Sequence, residues 1–248
     1  MGTPENRIKR VVAVMSCKGG VGKSSVTALT AVGLKRKGFR VGILDGDMTG
    51  PSISVLFGVE NTHPVNHEDS FTPVPSKLGI PIMSINSFTR ESRVKWRDPQ
   101  IEGLIGQLYA QSEWGDLDVL LIDLPPGTDE APRVTLQNLP VDGVIIVSSP
   151  QDMAVLAVDK AIDLVKGLNK EIIGVVENMS GILCPHCNQL IEVFGRSQGQ
   201  ELAKKHGVQW IGGLPMDPNL AAATGAIETY HSPKDAVIQK LMQIAVGA

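Results

Sequence analysis

The stretch that decides the fold is residues 16–25, which reads SCKGGVGKSS and directly follows an apolar run. It fits the phosphate-loop pattern G-x-x-x-x-G-K-[ST], except that Cys17 stands in place of the first glycine. Glycines let the backbone turn so tightly that its N–H groups converge on an anion, and a following helix adds the partial positive charge of its N-terminus. Lys23 can then reach the β- and γ-phosphates, and the Ser24 hydroxyl can ligate Mg²⁺. The stretch therefore predicts a nucleotide site.

Short apolar runs alternate with longer amphipathic ones along the rest of the chain. Apolar runs without strict alternation suit parallel strands covered on both faces, and longer periodic segments indicate helices. The predicted strands are residues 11–16, 40–44, 119–122, 144–147, 172–176 and 209–214. The predicted helices are residues 23–37, 99–111, 131–139, 154–169, 200–206 and 234–245. This alternation predicts an α/β fold with a doubly wound, mostly parallel sheet flanked by helices. We expect residues 1–248 to form one domain, with residues 61–77 as an ordered insertion loop.

Two strand ends carry carboxylates that suit magnesium and an attacking water. Asp45 and Asp47 follow the strand at residues 40–44 and are expected to point the same way. Asp123 ends the strand LLID, the arrangement that holds magnesium in phosphate-loop enzymes. Because the carboxyl ends of parallel strands gather the ligand of a doubly wound sheet, these groups are predicted to lie beside the phosphate loop. In the PPGT segment that follows, Gly127 can offer a backbone N–H to the γ-phosphate and sense its loss.

Cys184 and Cys187 form a C-x-x-C pair far along the chain. A thioredoxin-like redox pair is one interpretation, although that motif normally opens a helix near the first strand. A structural zinc site is a second, but it needs four ligands, and one chain supplies these two thiols with at most His186 beside them. Two chains meeting at a symmetry axis would bring four thiolates together for either zinc or an iron–sulfur cluster. Ligand softness does not decide between those two.

Composition argues against several other functions. The net charge is −3, and Trp, Tyr and Phe together number only ten, so neither a basic phosphate-tracking face nor a base-stacking platform is expected. No apolar run approaches the length that spans a bilayer, and the first residues do not resemble a secretory signal. Three cysteines do not make a disulfide framework, which favours a reducing compartment. We therefore expect a cytoplasmic protein that binds neither nucleic acid nor membrane.

Taken together, the motifs resemble those of the Mrp/ApbC family of iron–sulfur cluster carrier ATPases. The segments that carry the resemblance are CKGGVGKSS (17–25), DGDMTGPS (45–52), LLIDLPPGT (120–128), VVENMS (175–180), CPHC (184–187) and GLPMDP (213–218). The similarity covers residues 9–245. It implies a P-loop fold like those of MinD and the nitrogenase iron protein, together with slow, Mg²⁺-dependent ATP hydrolysis. It also implies a homodimer that carries a 4Fe-4S cluster to apo iron–sulfur proteins.

The resemblance assigns roles to individual residues. Lys18 marks the deviant Walker A motif of the MinD and ParA class, in which this lysine reaches across a dimer to the partner's nucleotide, so Lys18, Lys23 and Asp47 are the implied catalytic residues. Asp47 would position the hydrolytic water and, with Ser24 and Asp123, serve Mg²⁺. The implied nucleotide contacts are Cys17, Lys18, Gly19, Gly20, Val21, Gly22, Lys23, Ser24, Ser25, Gly127, Asn178 and Pro215, of which the last two would flank the adenine.

The resemblance further implies that Cys184 and Cys187 bind the 4Fe-4S cluster together with their symmetry mates. Three departures from the family pattern stand out: Cys17 in the loop, Asp98 within WRDP at residues 96–99, and Asp129 after PPGT.

Two other classes compete with the carrier. The first is a positioning ATPase of the MinD or ParA type with a structural zinc at the C-x-x-C. The helix at residues 234–245 would then bind a membrane, but its spacing is more typical of packing on the sheet, and it lacks a lysine-rich face. The second is a reductase like the nitrogenase iron protein, in which the two cysteines of each subunit come from separate loops.

Overall fold

The computed structural model describes residues 5–47, 52–87, 101–151, 157–232 and 235–247. The WRDP segment, residues 48–51 of the DGDMTGPS segment, and the predicted helix starts at residues 99–100, 154–156 and 234 lie outside these ranges. The strands are β1 (Arg7–Ile8), β2 (Val11–Ser16), β3 (Val41–Asp45), β4 (Val65–Asn66), β5 (Phe71–Thr72), β6 (Val74–Pro75), β7 (Pro81–Ser84), β8 (Asp116–Leu117), β9 (Val119–Asp123), β10 (Gly143–Ser148), β11 (Ile172–Leu183), β12 (Leu190–Ile191) and β13 (Trp210–Met216). The α-helices are α1 (Lys23–Arg36), α2 (Ser52–Phe57), α3 (Ile101–Gln111), α4 (Glu130–Asn138), α5 (Ala157–Gly167), α6 (Gly199–His206), α7 (Pro218–Ala222) and α8 (Asp235–Val246), and short 3₁₀ helices span Ile85–Ser87 and Ile227–Thr229.

The main sheet has the strand order β12-β11-β10-β2-β9-β3-β7-β6, and β13 also pairs with β11. Strands β7, β3, β9, β2, β10, β11 and β13 run parallel, whereas β6 and β12 are antiparallel to their neighbours. Strands β9, β3 and β7 lie on one side of β2, and the later strands β10 and β11 lie on the other. The direction in which the chain adds strands to the sheet therefore reverses beside β2. Ligands of such sheets bind at the carboxyl ends of the strands near this reversal. The predicted doubly wound α/β fold is confirmed.

Two apolar cores cover the two faces of the sheet. Strand β2 shows how one sequence supplies both: Val12 and Val14 join the core beneath α1 and α8, while Ala13 and Met15 join the core beneath α3, α4 and α5. Alternate residues of a strand point to opposite faces, so a strand buried on both sides must be apolar throughout. The sheet thereby fixes the strand ends that form the site.

The observed elements include several that were not predicted, and three differences bear on the site and its surroundings. Strand β11 continues to Leu183, seven residues beyond its predicted end, and carries the chain out to the cysteines. The segment predicted as an insertion loop contains β4, β5 and β6, so that prediction is wrong in part. Strand β7 was not predicted because it has only four residues and begins at Pro81. A proline is tolerated at the first residue of a strand, but it obscures the strand pattern.

Candidate functional site

The phosphate loop joins β2 to α1 at the carboxyl edge of the sheet. Gly20 and Gly22 have φ of 83° and 80°, a left-handed conformation that side chains oppose. The hydroxyl of Ser16 donates to the carbonyl oxygen of Lys18 at 2.9 Å and fixes the start of the turn. The first turn of α1 has no acidic residue. The helix thus presents its N-terminal amides and Lys23 without a competing carboxylate in its own first turn.

A cavity of about 330 Å³ lies against this loop. Its lining consists of Ser16, Lys18, Gly19, Gly20, Gly22, Lys23, Ser24, Ser25, Asp47, Ser52, Val55, Leu56 and Pro126. Five predicted contact residues lie outside this lining, namely Cys17 and Val21 of the loop and, further along the chain, Gly127, Asn178 and Pro215. Cys17 packs against the core beneath α3, and buried Val21 turns its carbonyl toward β11. A glycine-lined cavity at a helix N-terminus is suited to a phosphorylated ligand.

Asp123 is the centre of a buried polar network behind the loop. Its Oδ2 atom lies 2.7 Å from the Lys23 ammonium and accepts a hydrogen bond from the Ser24 hydroxyl at 2.6 Å. Its Oδ1 atom accepts from the Thr27 hydroxyl at 2.7 Å. The Asp123 side chain is fully buried, so these three donors replace water around the carboxylate. Lysine and serine of the loop are thus both held on one carboxylate.

The structure separates the two carboxylates that were predicted to point together. Asp47 lines the cavity, with its Oδ2 atom 4.0 Å from the Lys23 ammonium. Asp45 is fully buried, accepts from the Ser84 hydroxyl at 2.9 Å and from the Asp47 amide at 3.1 Å, and does not line the cavity. Burial, with repulsion from Asp123, raises the pKa of Asp45 to about 8. The prediction that both face magnesium is therefore wrong, because Asp45 is a structural group.

Gly127 does not present a free amide to the cavity. Its N–H donates to the carbonyl oxygen of Ser16 at 2.8 Å, and its φ is 102°. Contact with a γ-phosphate would require this hydrogen bond to be exchanged. Asp129, one of the departures from the family pattern, occupies the N-cap position of α4 but makes no side-chain capping hydrogen bond.

Asn178 and Pro215 lie on adjacent strands, as an adenine clamp would require. Asn178 of β11 pairs in register with Leu214 of β13, one residue before Pro215. The side-chain amide of Asn178 donates to the carbonyl oxygen of Val21 at 2.9 Å. Strand β11 therefore touches the phosphate loop directly. The adenine role of these residues stays a prediction.

The cysteine pair occupies the tip of the β11–β12 hairpin. Cys184 is half-buried and Cys187 is exposed. The turn is closed by hydrogen bonds from the Cys184 amide to the Gln189 carbonyl and from the Asn188 amide to the Cys184 carbonyl, each 2.9 Å long. The His186 amide, followed by the amide and thiol of Cys187, hydrogen-bonds to the Cys184 sulfur and lowers the pKa of its thiol. Donors that stabilise a thiolate prepare the sulfur for metal ligation.

Several residues of the site were not predicted. Thr27 and Ser84 bind the two buried aspartates, and Ser52, Val55 and Leu56 of α2 line the cavity. The spacing of Thr27 four positions after Lys23 was a usable signal, since residues four apart share a helix face.

The described residues contain no group of three or more His, Cys, Asp and Glu side chains that could hold a metal ion. Among the same residues, no helix combines the length and apolar character that crossing a membrane requires.

The fold and the cavity define a P-loop nucleotide-binding protein of the ParA type. The model of the NUBPL iron-transfer P-loop NTPases, within the ParA group, matches residues 7–247, and the chain belongs to this family.

Relatives of known description agree with this assignment. An iron–sulfur cluster carrier protein of Methanocaldococcus jannaschii is 44% identical over 215 residues, which are 86% of this chain and 74% of the relative. The cytosolic Fe-S cluster assembly factor CFD1 of Kluyveromyces lactis is 42% identical, covering 88% of this chain and 81% of that protein. A nucleotide-binding protein from Archaeoglobus fulgidus, solved in complex with ADP, has a TM-score of 0.82 and 40% identity, covering 90% and 89% of the two chains. The resemblance to the Mrp/ApbC carriers is thereby confirmed.

Proposed function

We propose that this protein is a cytoplasmic ATPase that holds a 4Fe-4S cluster between two copies of the chain and transfers it to apo iron–sulfur proteins. The observation that carries the proposal is the course of β11. This strand touches the phosphate loop through Asn178 and continues to the thiol pair at Cys184 and Cys187. One strand thus links a nucleotide site to a metal-ligating site in a member of an iron-transfer family.

The nucleotide half of the proposal rests on the loop and its carboxylates. Bound phosphates would take the loop amides and the Lys23 ammonium, which now pairs with Asp123. The oxygen atoms of Ser24, Asp47 and Asp123 are the hard ligands that Mg²⁺ prefers. Bound magnesium would offset the negative charge of the phosphates. Asp47 and Lys18 both line the cavity, and Asp47 would orient the attacking water.

The cluster half of the proposal rests on the hairpin. A 4Fe-4S cluster takes four thiolates as protein ligands, and the hairpin supplies two. A two-fold axis at the hairpin tip would supply the other two from an identical chain. The cluster is cargo, so partial exposure of the thiols at Cys184 and Cys187 suits its uptake and release.

Apolar side chains around the cysteines support a dimer at this place. Among the described residues, most of the large exposed hydrophobic side chains lie on one segment, residues 182–194. They are Ile182, Leu190, Ile191, Val193 and Phe194. An apolar surface that surrounds a half-complete ligand set is suited to self-association, because one contact buries the surface and completes the set.

The decisive test is anaerobic reconstitution with iron and sulfide, followed by visible spectroscopy and analysis of iron, sulfide and zinc. We expect four iron and four sulfide per two chains, loss of both in the Cys184→Ala/Cys187→Ala variant, and unchanged ATP binding in that variant. Stoichiometric zinc with no cluster would favour the positioning ATPase instead. Sedimentation of the loaded protein as a monomer would contradict the shared site.

A further inference from the structure

Glu177 is a buried acid to which the proposed chemistry gives no role. It lies on β11 beside Asn178 and is fully buried. Its Oε2 atom accepts a hydrogen bond from the Ser197 hydroxyl at 2.8 Å, while Oε1 has no hydrogen-bond partner among the described residues. Burial raises the pKa of Glu177, Glu192 adds to the increase, and the Ser197 hydroxyl opposes it. A buried carboxyl oxygen without a hydrogen-bond partner is unfavourable for folding, so its presence needs an explanation.

The partner of Glu177 marks the point where the cysteine hairpin returns to the sheet. Between Glu177 and Ser197 the chain runs out along β11, turns at the cysteines and comes back through β12. The Ser197 oxygen also accepts from the Gly199 amide at 3.3 Å, at the first residue of α6. Gly199 itself lies so close to the Trp210 indole that a Cβ atom would overlap the ring. The Glu177–Ser197 hydrogen bond therefore closes the base of the hairpin.

The next residue ties the same point of β11 to the nucleotide site. Successive strand residues face opposite sides of the sheet, and accordingly Val175 and Val176 belong to different cores. Asn178 donates to the Val21 carbonyl of the phosphate loop, whereas Glu177 accepts from Ser197. Two consecutive side chains thus fasten the loop on one face and the hairpin on the other.

Beyond this point the strand alone is a weak connection to the cysteines. Asn178 pairs with Leu214 and Ile182 pairs with Met216, so β11 advances four residues while β13 advances two. The extra residues form a bulge in which Met179 has a φ of 60°. A bulge breaks the ladder and bends the strand. The Glu177–Ser197 hydrogen bond provides a second connection that does not pass through the bulge. It joins β11 before the bulge to the segment that follows β12.

We propose that Glu177 is a positioning residue that, through Ser197, fixes the cysteine pair relative to the nucleotide strand. The thiols of two chains can share a cluster only at a set separation, so a hairpin that is free at its base would hold the cluster less firmly. This consequence rests on the proposed carrier function. The fixing of the hairpin does not, and it can be measured without any metal.

The test compares Ser197→Ala with a matched control elsewhere in the chain. Ser76 donates to Glu228 at 2.7 Å and accepts from the Ile80 amide at 3.0 Å, which reproduces the bonding of Ser197 away from the cysteines. In metal-free protein, hydrogen exchange of the hairpin amides is expected to rise about tenfold in Ser197→Ala and to stay unchanged in Ser76→Ala. Glu177→Gln keeps an acceptor for Ser197 and is expected to behave as wild type.

In cluster-loaded protein, Ser197→Ala is expected to release iron to a chelator about tenfold faster than wild type or Ser76→Ala, with ATP affinity unchanged. Equal hairpin exchange in Ser197→Ala and wild type would overturn the proposal, and so would equal acceleration in the Ser76→Ala control. A wild-type protein that takes up no cluster would refute the carrier function. The exchange comparison would still decide whether Glu177 fixes the hairpin.

Discussion

The ammonium group of Lys23 lies 2.7 Å from a carboxylate oxygen of Asp123, and the two side chains are 5% and 0% exposed. The lysine of the phosphate loop is therefore paired with Asp123 at the wall of the cavity. A phosphate that binds the Lys23 ammonium would have to replace its contact with Asp123. The Ser24 and Thr27 hydroxyls share this carboxylate with Lys23.

This pairing predicts an unusual pattern of stability among loop variants. Lys23→Met leaves the Asp123 carboxylate buried without its cation, which should lower the free energy of unfolding by about 3–5 kcal/mol. Adding Asp123→Asn removes the charge and should recover more than half of the loss. ATP hydrolysis is expected to be absent from both variants. Urea unfolding and a phosphate-release assay measure the two effects. An unchanged unfolding free energy in Lys23→Met would mean that the pair does not form in solution.

Asp45 predicts a pH dependence of stability. Its pKa is about 8 in the folded protein against an ordinary value of 3.8, so between these values the folded state binds one more proton than the unfolded state. This group therefore makes stability fall as pH rises, by about 1.4 kcal/mol per pH unit within that window. Its stabilising effect is complete below pH 3.8 and is lost as pH rises through the folded-state value of about 8.

Asparagine at position 45 cannot ionise. The difference in stability between Asp45→Asn and wild type therefore isolates the contribution of Asp45 from that of the other titrating groups. Relative to wild type, the variant should gain stability between pH 5 and pH 7, by an amount on the order of 2–3 kcal/mol. Urea unfolding of both proteins at three pH values provides the comparison. Parallel pH profiles for the two proteins would show that Asp45 is ionised in the folded state.

The Thr27 hydroxyl is expected to contribute to both stability and ATP hydrolysis, although it lies inside a helix. Thr27→Val keeps the shape but removes the donor to Asp123, which should cost about 1.5–3 kcal/mol, because the acceptor is charged. ATP hydrolysis should also slow, since Asp123 loses one of the bonds that orient it. Thr30→Val is the matched control. Among the described residues its hydroxyl bonds only to the Val26 carbonyl, at 2.8 Å, and its loss should leave hydrolysis unaffected. Equal kinetics in the two variants would contradict the role of Thr27.

The apolar segment around the cysteines predicts where self-association is sensitive to charge. Ile191→Glu places two like charges at the proposed two-fold contact and should weaken the dimer of the cluster-loaded protein at least about tenfold. Val65→Glu is the control. Val65 is 57% exposed, close to the 52% of Ile191, but it lies on β4, outside the apolar segment around the cysteines. Analytical ultracentrifugation measures the dissociation constants. Equal constants for both variants would place the contact elsewhere.

Local patterns sufficed for the centre of the fold. Strand β2 begins and ends at its predicted residues, and α1 begins at the predicted Lys23, because an apolar strand, a glycine turn and a helix are each encoded by adjacent residues. The lining of the cavity by the loop followed from the same motif. These features depend on the chain within a few residues of each position.

Long-range pairing accounts for what was missed. The burial of Asp45 depends on its position between Asp123 of β9 and Ser84 of β7, and β7 carries no strong strand pattern of its own. Likewise, the bulge in β11 exists only relative to the register of β13. Neither relationship is encoded in a local window, because each is set by which strands become neighbours.

The contact between Gly22 and Asn178 bears on how the site can be dissected by mutation. The amide nitrogen of Asn178 occupies the place where a Cβ atom at position 22 would stand. An alanine there, often regarded as a change to the loop alone, would strain a backbone with φ of 80° and also push β11 away. Two parts of the site would move at once. Substitution of Asn178 by a smaller residue is therefore the cleaner way to separate the strand from the loop, and a tolerated change at position 22 requires a compensating one at position 178.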